Sequence, residues 1–283
     1  MEFGLFGINM GPLGEPGAML RVARHAEQAG LESIWTGEHI VLPDPQAPPS
    51  PASPDTPFLD TSVALAACAA VTERVRLGTG IVILPQRNPV ELAKELASLD
   101  AVSGGRLVFG LGAGYLEPEF RALGADFDAR GAITDEAIDV LRALWTQAKP
   151  HFAGEHFRFE GVDAHPRPVQ KPHPPIVVGG MSPPAARRAA RKGNGWYGFF
   201  TSPELTERSL EWIRADIEAG NRPDELGQLE ISVSPPPGLG AEQVEQYAKL
   251  GVHRIVGVST ARDADGMLHY VDELAELARS HGA

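Results

Sequence analysis

The sequence predicts an α/β chain closed into a (β/α)8 TIM barrel, and three observations carry that expectation. Strand-length apolar runs alternate with helix-length segments along the whole chain, eight strands each followed by a helical stretch. Several strands are apolar throughout, the pattern of parallel strands covered on both faces. The turn after the first strand, Asn9-Met10-Gly11-Pro12-Leu13-Gly14, lacks the Gly-x-Gly-x-x-Gly spacing that an open doubly wound sheet would need there. Right-handed crossovers in that number close on themselves. Residues 1-283 are read as a single barrel domain, with loop excursions at 40-58 and 150-175.

Taken in order, Phe3–Ile8 is the first buried strand. Gly17–Gly30 is a helix with Met19, Leu20, Ala23, Ala26 and Ala29 inward and Gly30 as its C-terminal cap. Leu31–Thr36 is the second strand and runs into Gly37-Glu38-His39. The prolines at 43, 45, 48, 49, 51, 54 and 57 exclude helix and sheet. The alternation resumes at once with a helix near Leu59–Thr72, so this stretch is a long strand-end loop, either a lid or a mobile excursion. Val75–Leu84, the helix Pro89–Val102 and Leu107–Leu111 then form the βαβ unit about which the rest is arranged. A short helix, Glu117–Leu123, precedes a longer one, Ile133–Trp145, with Ile133, Ala137, Val140, Leu141 and Leu144 inward. Phe152, Phe157 and Phe159 alternate with polar residues, predicting a small hairpin. Pro175–Val178, Gly195–Phe200, Leu229–Val233 and Arg254–Val258 are the last strands, with helices through Arg191 and over Pro203–Ala219, Ala241–Leu250 and Asp265–Arg279.

Composition bounds the partners. A hydrophobic fraction of 43% and a charged fraction of 22% are those of an ordinary globular chain. The net charge of −12 argues against nucleic acid or an anionic membrane, though a local basic patch could still take an anion. Cys68 is the only cysteine and lies in an alanine-rich helix, so no intrachain disulfide forms and a cytoplasmic location is expected. Met1–Ile8 has no basic lead, and no apolar run approaches ~18 residues, so neither a secretion signal nor a membrane span is expected.

Barrel chemistry sits at the strands' carboxyl ends. Glycine in a buried strand marks a close approach to the backbone. Gly78, Gly80, Gly110, Gly112 and Gly114 are read as a flat, side-chain-free surface suited to a ring-shaped cofactor. Glu38-His39 is the strongest polar pair, since adjacent residues leaving a strand can diverge. His39 suits proton transfer; the alternative is that Glu38 pairs with an arginine or caps a helix while His39 packs under the loop. Gly179-Gly180-Met181-Ser182 before a helix is a turn whose N–H groups favour phosphate, with Ser182 adding a hydroxyl or capping the helix. Arg187, Arg188, Arg191 and Lys192 are expected on a solvated face, the alternative being that an arginine among them reaches a phosphate. His151 and His156 are expected in solvent, and no residue spacing suggests a metal site.

These stretches together resemble the bacterial-luciferase-like superfamily of flavin and deazaflavin enzymes. The resemblance rests on Trp35-Thr36-Gly37-Glu38-His39, on Leu77 through Pro85 with Arg87-Asn88-Pro89, on Ser103-Gly104-Gly105-Arg106-Leu107 leading to Gly110-Leu111-Gly112-Ala113-Gly114, and on Pro174 through Gly180. It is closest to the members that use coenzyme F420. The resemblance implies a (β/α)8 barrel, a non-proline cis peptide at Gly80–Ile81 behind the cofactor ring, and Gly112, Ala113 and Gly114 beside that ring. It also implies a phosphate turn at Gly179 and Gly180, and His39 near the ring. The chain departs from the pattern at Tyr115, where sugar- and alcohol-oxidising members carry an acid, and at Glu38, where many have Asp. No lysine pair for a substrate phosphate is found.

The expected function is therefore F420-dependent hydride transfer to or from a small organic substrate, with a proton relayed through His39 or Tyr115. An FMN-dependent monooxygenase is the first rival, and a barrel that binds cofactor without catalysis is the second. The resemblance also suggests a homodimer.

Overall fold

The computed structural model describes residues 1–282. Eight parallel strands close a barrel: β1 (Glu2–Phe6), β2 (Ser33–Thr36), β3 (Arg76–Thr79), β4 (Leu107–Gly112), β5 (Ile176–Gly179), β6 (Gly195–Phe199), β7 (Glu230–Ser234) and β8 (Arg254–Gly257). Each strand pairs with the next in the chain, and β8 returns to β1 with Phe3 opposite Ile255. Around it lie α1 (Pro16–Ala29), α2 (Thr61–Ala69), α3 (Pro89–Val102), α4 (Glu117–Leu123), α5 (Arg130–Thr146), α6 (Pro183–Lys192), α7 (Pro203–Glu218), α8 (Ala241–Lys249) and α9 (Ala264–Ser280).

Local chemistry sets several of these helix starts. Asp60, Asn88, Ser182 and Asp263 each accept from a first-turn N–H, and Pro16, Pro89, Pro183 and Pro203 stand where a missing N–H costs nothing. Burial then selects the inner faces. In α1 the buried residues are Met19, Val22, Ala23 and Ala26, so Val22 joins the predicted face, while Leu20 and Ala29 are partly buried and pack against the core at its margin. In α5, which starts earlier than predicted, Thr134 and Ile138 are buried and Ile133 is not.

Inside the barrel, Phe6, Trp35, Val108, Val177, Tyr197 and Val256 form a cluster of their own, with Trp35 stacked on Tyr197 at 5.4 Å. The predicted third strand is interrupted. It ends at Thr79, passes through a cis Gly80–Ile81 bond, and resumes as Val82–Ile83 beside Leu111 and Gly112 of β4. Thr79 holds the interruption: its hydroxyl donates to the Gly110 carbonyl at 2.6 Å and accepts the Gly110 N–H at 2.7 Å.

The expected hairpin forms between Phe152–Ala153 and Arg158–Phe159, with His151 and His156 exposed. Cys68 is fully buried, which pushes its thiol up to about 12. Among the described residues, no helix is long and apolar enough to cross a membrane.

Candidate active site

A cavity of ≈ 800 Å³ opens at the carboxyl ends of the strands. That volume is within the range of sites for cofactor-sized ligands. Lining it are Glu38, His39, Gly80, Ile81, Gly112, Ala113, Gly114, Tyr115, Gly179, Gly180, Met181 and Ser182, whereas Gly78 and Gly110 lie against Trp35 and Thr79 and do not reach it. Pro51 and Phe58 of the proline-rich loop line it too.

Glu38 and His39 leave β2 in different directions. One Glu38 oxygen accepts the Ile83 N–H at 2.5 Å and the other is ion-paired with Arg87. With both oxygens accepting, Glu38 holds the carboxylate form. Burial raises its pKa, opposed by the Arg87 charge and the Ile83 N–H. Burial also works against the Arg87 charge, yet the Glu38 charge outweighs it and raises the guanidinium's pKa. Glu38 thus ties β2 to the interrupted third strand, the arginine-paired arrangement that the sequence left open.

His39 finds a partner that sequence reasoning did not assign. Its Nδ1 lies 3.2 Å from Glu119 Oε2, and its Nε2 lies 3.5 Å from the Tyr115 hydroxyl. Glu119, on α4, is fully buried and also accepts the Ile40 N–H at 2.6 Å. Burial raises the Glu119 carboxyl, but the His39 hydrogen bond, its charge and the Ile40 N–H together bring it below the usual range. An ionised Glu119 can only accept, so Nδ1 carries a hydrogen, and Nε2 is left facing the Tyr115 hydroxyl. Burial, then the Glu119 charge, raises the Tyr115 hydroxyl and keeps it protonated at neutral pH. The result is a contiguous polar chain, Tyr115–His39–Glu119, with its tyrosine end half exposed to the cavity.

The glycines serve a different purpose from the one predicted. A Cβ on Gly112 would strike Ile81 Cδ1, and one on Gly179 would come 2.9 Å from the same atom. A Cβ on Gly80 would meet the Thr36 carbonyl at 2.9 Å, and one on Gly78 would strike the Trp35 ring. The space these residues leave is filled by the protein itself. Ile81 seats its side chain between Gly112 and Gly179, so Ile81, and not bare backbone, presents the apolar bed.

The phosphate turn is also altered. Gly180 has φ 122°, a conformation reserved for glycine, and Ser182 Oγ accepts the Ala185 N–H at 3.4 Å. Pro183 and Pro184 follow, and neither has an N–H to offer an anion. Cationic character comes instead from Arg188, which is buried and not on a solvated face. Its Nε and Nη2 bond Asp135 at 2.7 and 3.2 Å, and Nη2 bonds the Gly131 carbonyl, while Nη1 has no hydrogen-bond partner among the described residues. Arg130 joins it in the wall. Arg187 and Arg191 are exposed, as predicted for a solvated face, with Arg191 paired to Asp216, while Lys192 is partly buried and paired to Asp139.

Another part of the lining is aromatic. Phe6 and Phe199 have centroids 4.6 Å apart, Phe199 and Phe200 the same, and His39 meets Phe58 edge-on at 5.7 Å. Phe200 adopts φ 49°, a left-handed backbone that costs a bulky residue roughly 1–3 kcal/mol. A large, largely apolar chamber with a cationic pole and an apolar isoleucine bed fits a flavin-type cofactor: the bed for the ring, the pole for its phosphate.

A closed parallel barrel with this strand-end chamber is an enzyme scaffold of the (β/α)8 class. The chain belongs to the luciferase-like monooxygenase family, whose model matches residues 1–282. An uncharacterized protein of Mycobacterium tuberculosis is 32% identical over 263 residues, covering 89% of this chain and 91% of its own. The solved monooxygenase RslO1 of Streptomyces bottropensis superposes with a TM-score of 0.76 at 26% identity, covering 100% of both chains. An F420-dependent secondary alcohol dehydrogenase shares the fold at a TM-score of 0.79 and 17% identity, covering 98% of this chain and 97% of its own.

Proposed function

We propose that the protein is an F420-dependent oxidoreductase that transfers a hydride between the deazaflavin C5 and a small organic substrate. The observation that carries this reading is the Tyr115–His39–Glu119 chain opening on a chamber with a cationic pole. Hydride transfer to or from carbon bound to oxygen needs a proton moved at the same place, and this relay supplies one. When bound, the cofactor supplies the two-electron chemistry that no side chain here can perform.

The chain's own residues do the rest. Ile81 and Ala113 offer apolar surface to the ring, with Gly112, Gly114 and Gly179 making room for them. Met181, Ser182 and the Nη1 of Arg188 would hold the cofactor's phosphate. Glu119 fixes the orientation of the His39 ring, and Tyr115 passes the proton between His39 Nε2 and the substrate. Glu38 acts at a distance, positioning Ile83 and hence Ile81. Phe58 and Pro51 cover the chamber and exclude water. The same reading makes the protein a cytoplasmic homodimer acting on small molecules, with no nucleic-acid or membrane partner.

An FMN-dependent monooxygenase is the second reading, favoured by the 26% identity to RslO1 over its full length. Titration with F420 and, separately, FMN decides between them, read from the absorbance and fluorescence of each ring. Tight F420 uptake with none of FMN is expected. Preference for FMN, with oxygen consumed on reduction, would replace the proposal with the monooxygenase, and failure of both would remove the catalytic reading altogether.

A further inference from the structure

The polar atoms of the chamber are almost all spoken for by the protein. The Tyr197 hydroxyl bonds Ser234 at 2.5 Å, Ser259 Oγ accepts the Ala261 N–H at 3.0 Å, and Ser182 Oγ caps α6. Both Glu38 oxygens are engaged. The remaining charged side chains in the wall, Asp128, Arg130 and Arg188, belong to one side: Arg188 reaches the start of α5 through the Gly131 carbonyl, directly after Asp128 and Arg130. Tyr115 Oη, with His39 Nε2 behind it, is half exposed in the same chamber as Phe58, whose ring meets His39 edge-on, and the Phe6–Phe199–Phe200 stack. Phe200 holds its place there against its own backbone preference.

We infer that the substrate is an uncharged, ring-bearing apolar compound with one hydrogen-bonding oxygen, seated against Phe200, Phe199 and Phe58 with that oxygen at Tyr115. A carboxylate or phosphate on the substrate would compete with the cofactor's phosphate for Arg130 and Arg188, the arginines of the lining. The aromatic faces suit a flat ring. This inference rests on the cofactor assignment above, and its test separates the two.

The full-length protein, with and without F420, is titrated with 2-acetylnaphthalene and with its anionic counterpart 2-naphthoate. Ligand fluorescence reports their binding, while the cofactor's own absorbance reports its occupancy. The ketone is expected to bind at least ~10-fold more tightly than the carboxylate. Phe200→Glu should weaken the ketone about 10-fold, and Tyr115→Phe about 5-fold, with F420 occupancy unchanged in both. Equal or tighter binding of 2-naphthoate, no binding of either probe, or ketone binding indifferent to both substitutions would overturn the inference. Ketone preference retained by a protein that takes up no F420 would uphold the substrate class and sink the cofactor reading.

Discussion

The two ends of the barrel handle charge in opposite ways. At the amino-terminal end Arg254, only 3% exposed, bonds Glu32 at 2.8 and 2.9 Å, Ser232 at 3.0 Å, and Glu230. Burial opposes its charge, yet the bonds and charges of Glu32 and Glu230 raise its pKa. This network closes on itself and touches no part of the chamber. At the carboxyl end each ionic contact leaves one atom over: Glu119 takes Nδ1 of His39 and leaves Nε2, and Asp135 takes Nε and Nη2 of Arg188 and leaves Nη1. A network with every group paired contributes stability, whereas one with an unfilled position can bind or relay.

Breaking the closed network should have the largest effect on folding. Arg254→Met leaves Glu32 and Glu230 without their cation and should cost roughly 3–5 kcal/mol in urea unfolding, with cofactor affinity of the folded fraction unchanged. A loss below ~1 kcal/mol would erase the contrast between the two ends.

Glu119→Gln should do the reverse. Its amide would donate to Nδ1 and leave Nε2 carrying the hydrogen, lowering turnover by ~10²-fold for only about 1–2 kcal/mol of stability. The pH dependence has a definite sign. Glu119 is more acidic folded than unfolded, so its contribution is present above the unfolded value of ~4.3 and is lost as pH falls through the lower folded value. The variant should therefore show a flatter acid limb in its unfolding profile; an unaltered limb would deny Glu119 its charge.

Gly112→Ala tests the isoleucine bed. The new methyl collides with Ile81 and should cost about 1–3 kcal/mol, most of it recovered by adding Ile81→Ala. Additive losses in the double variant would place the glycine's purpose elsewhere. The smallest expected effect is that of Phe200→Gly. Relief of the left-handed backbone should leave stability unchanged or raise it by up to about 1 kcal/mol, while substrate KM rises. Destabilisation would make Phe200 a packing residue.

Much of the barrel was legible because each strand and helix carries its own local signal. Pro89 and Asn88 start α3, Gly30 ends α1, and the apolar run of Leu107–Gly112 has strand length and no helical alternative. The strand ends collected the chamber's lining for the same reason. Pairings across long separations were not legible. Glu119 meets His39 across 80 residues, and an acid in the first turn of a helix is ordinary on its own account. Arg188 looked like one of several helix cations until α5 packed over it. The glycines announced a close approach without saying what approaches, and Ile81, one residue past Gly80, fills the space a ligand was expected to fill. Pro183-Pro184 stood in plain view beside Ser182, and their lack of N–H groups was the readable sign that this turn leans on an arginine.

The most direct measurement is a crystal structure of the protein soaked with F420. The account predicts the deazaflavin ring in contact with Ile81, its phosphate at Ser182 and Arg188, and His39 still joined to Glu119 beside the substrate space. A cofactor bound away from Ile81, or a His39 ring turned from Glu119 toward solvent when the chamber is filled, would contradict it.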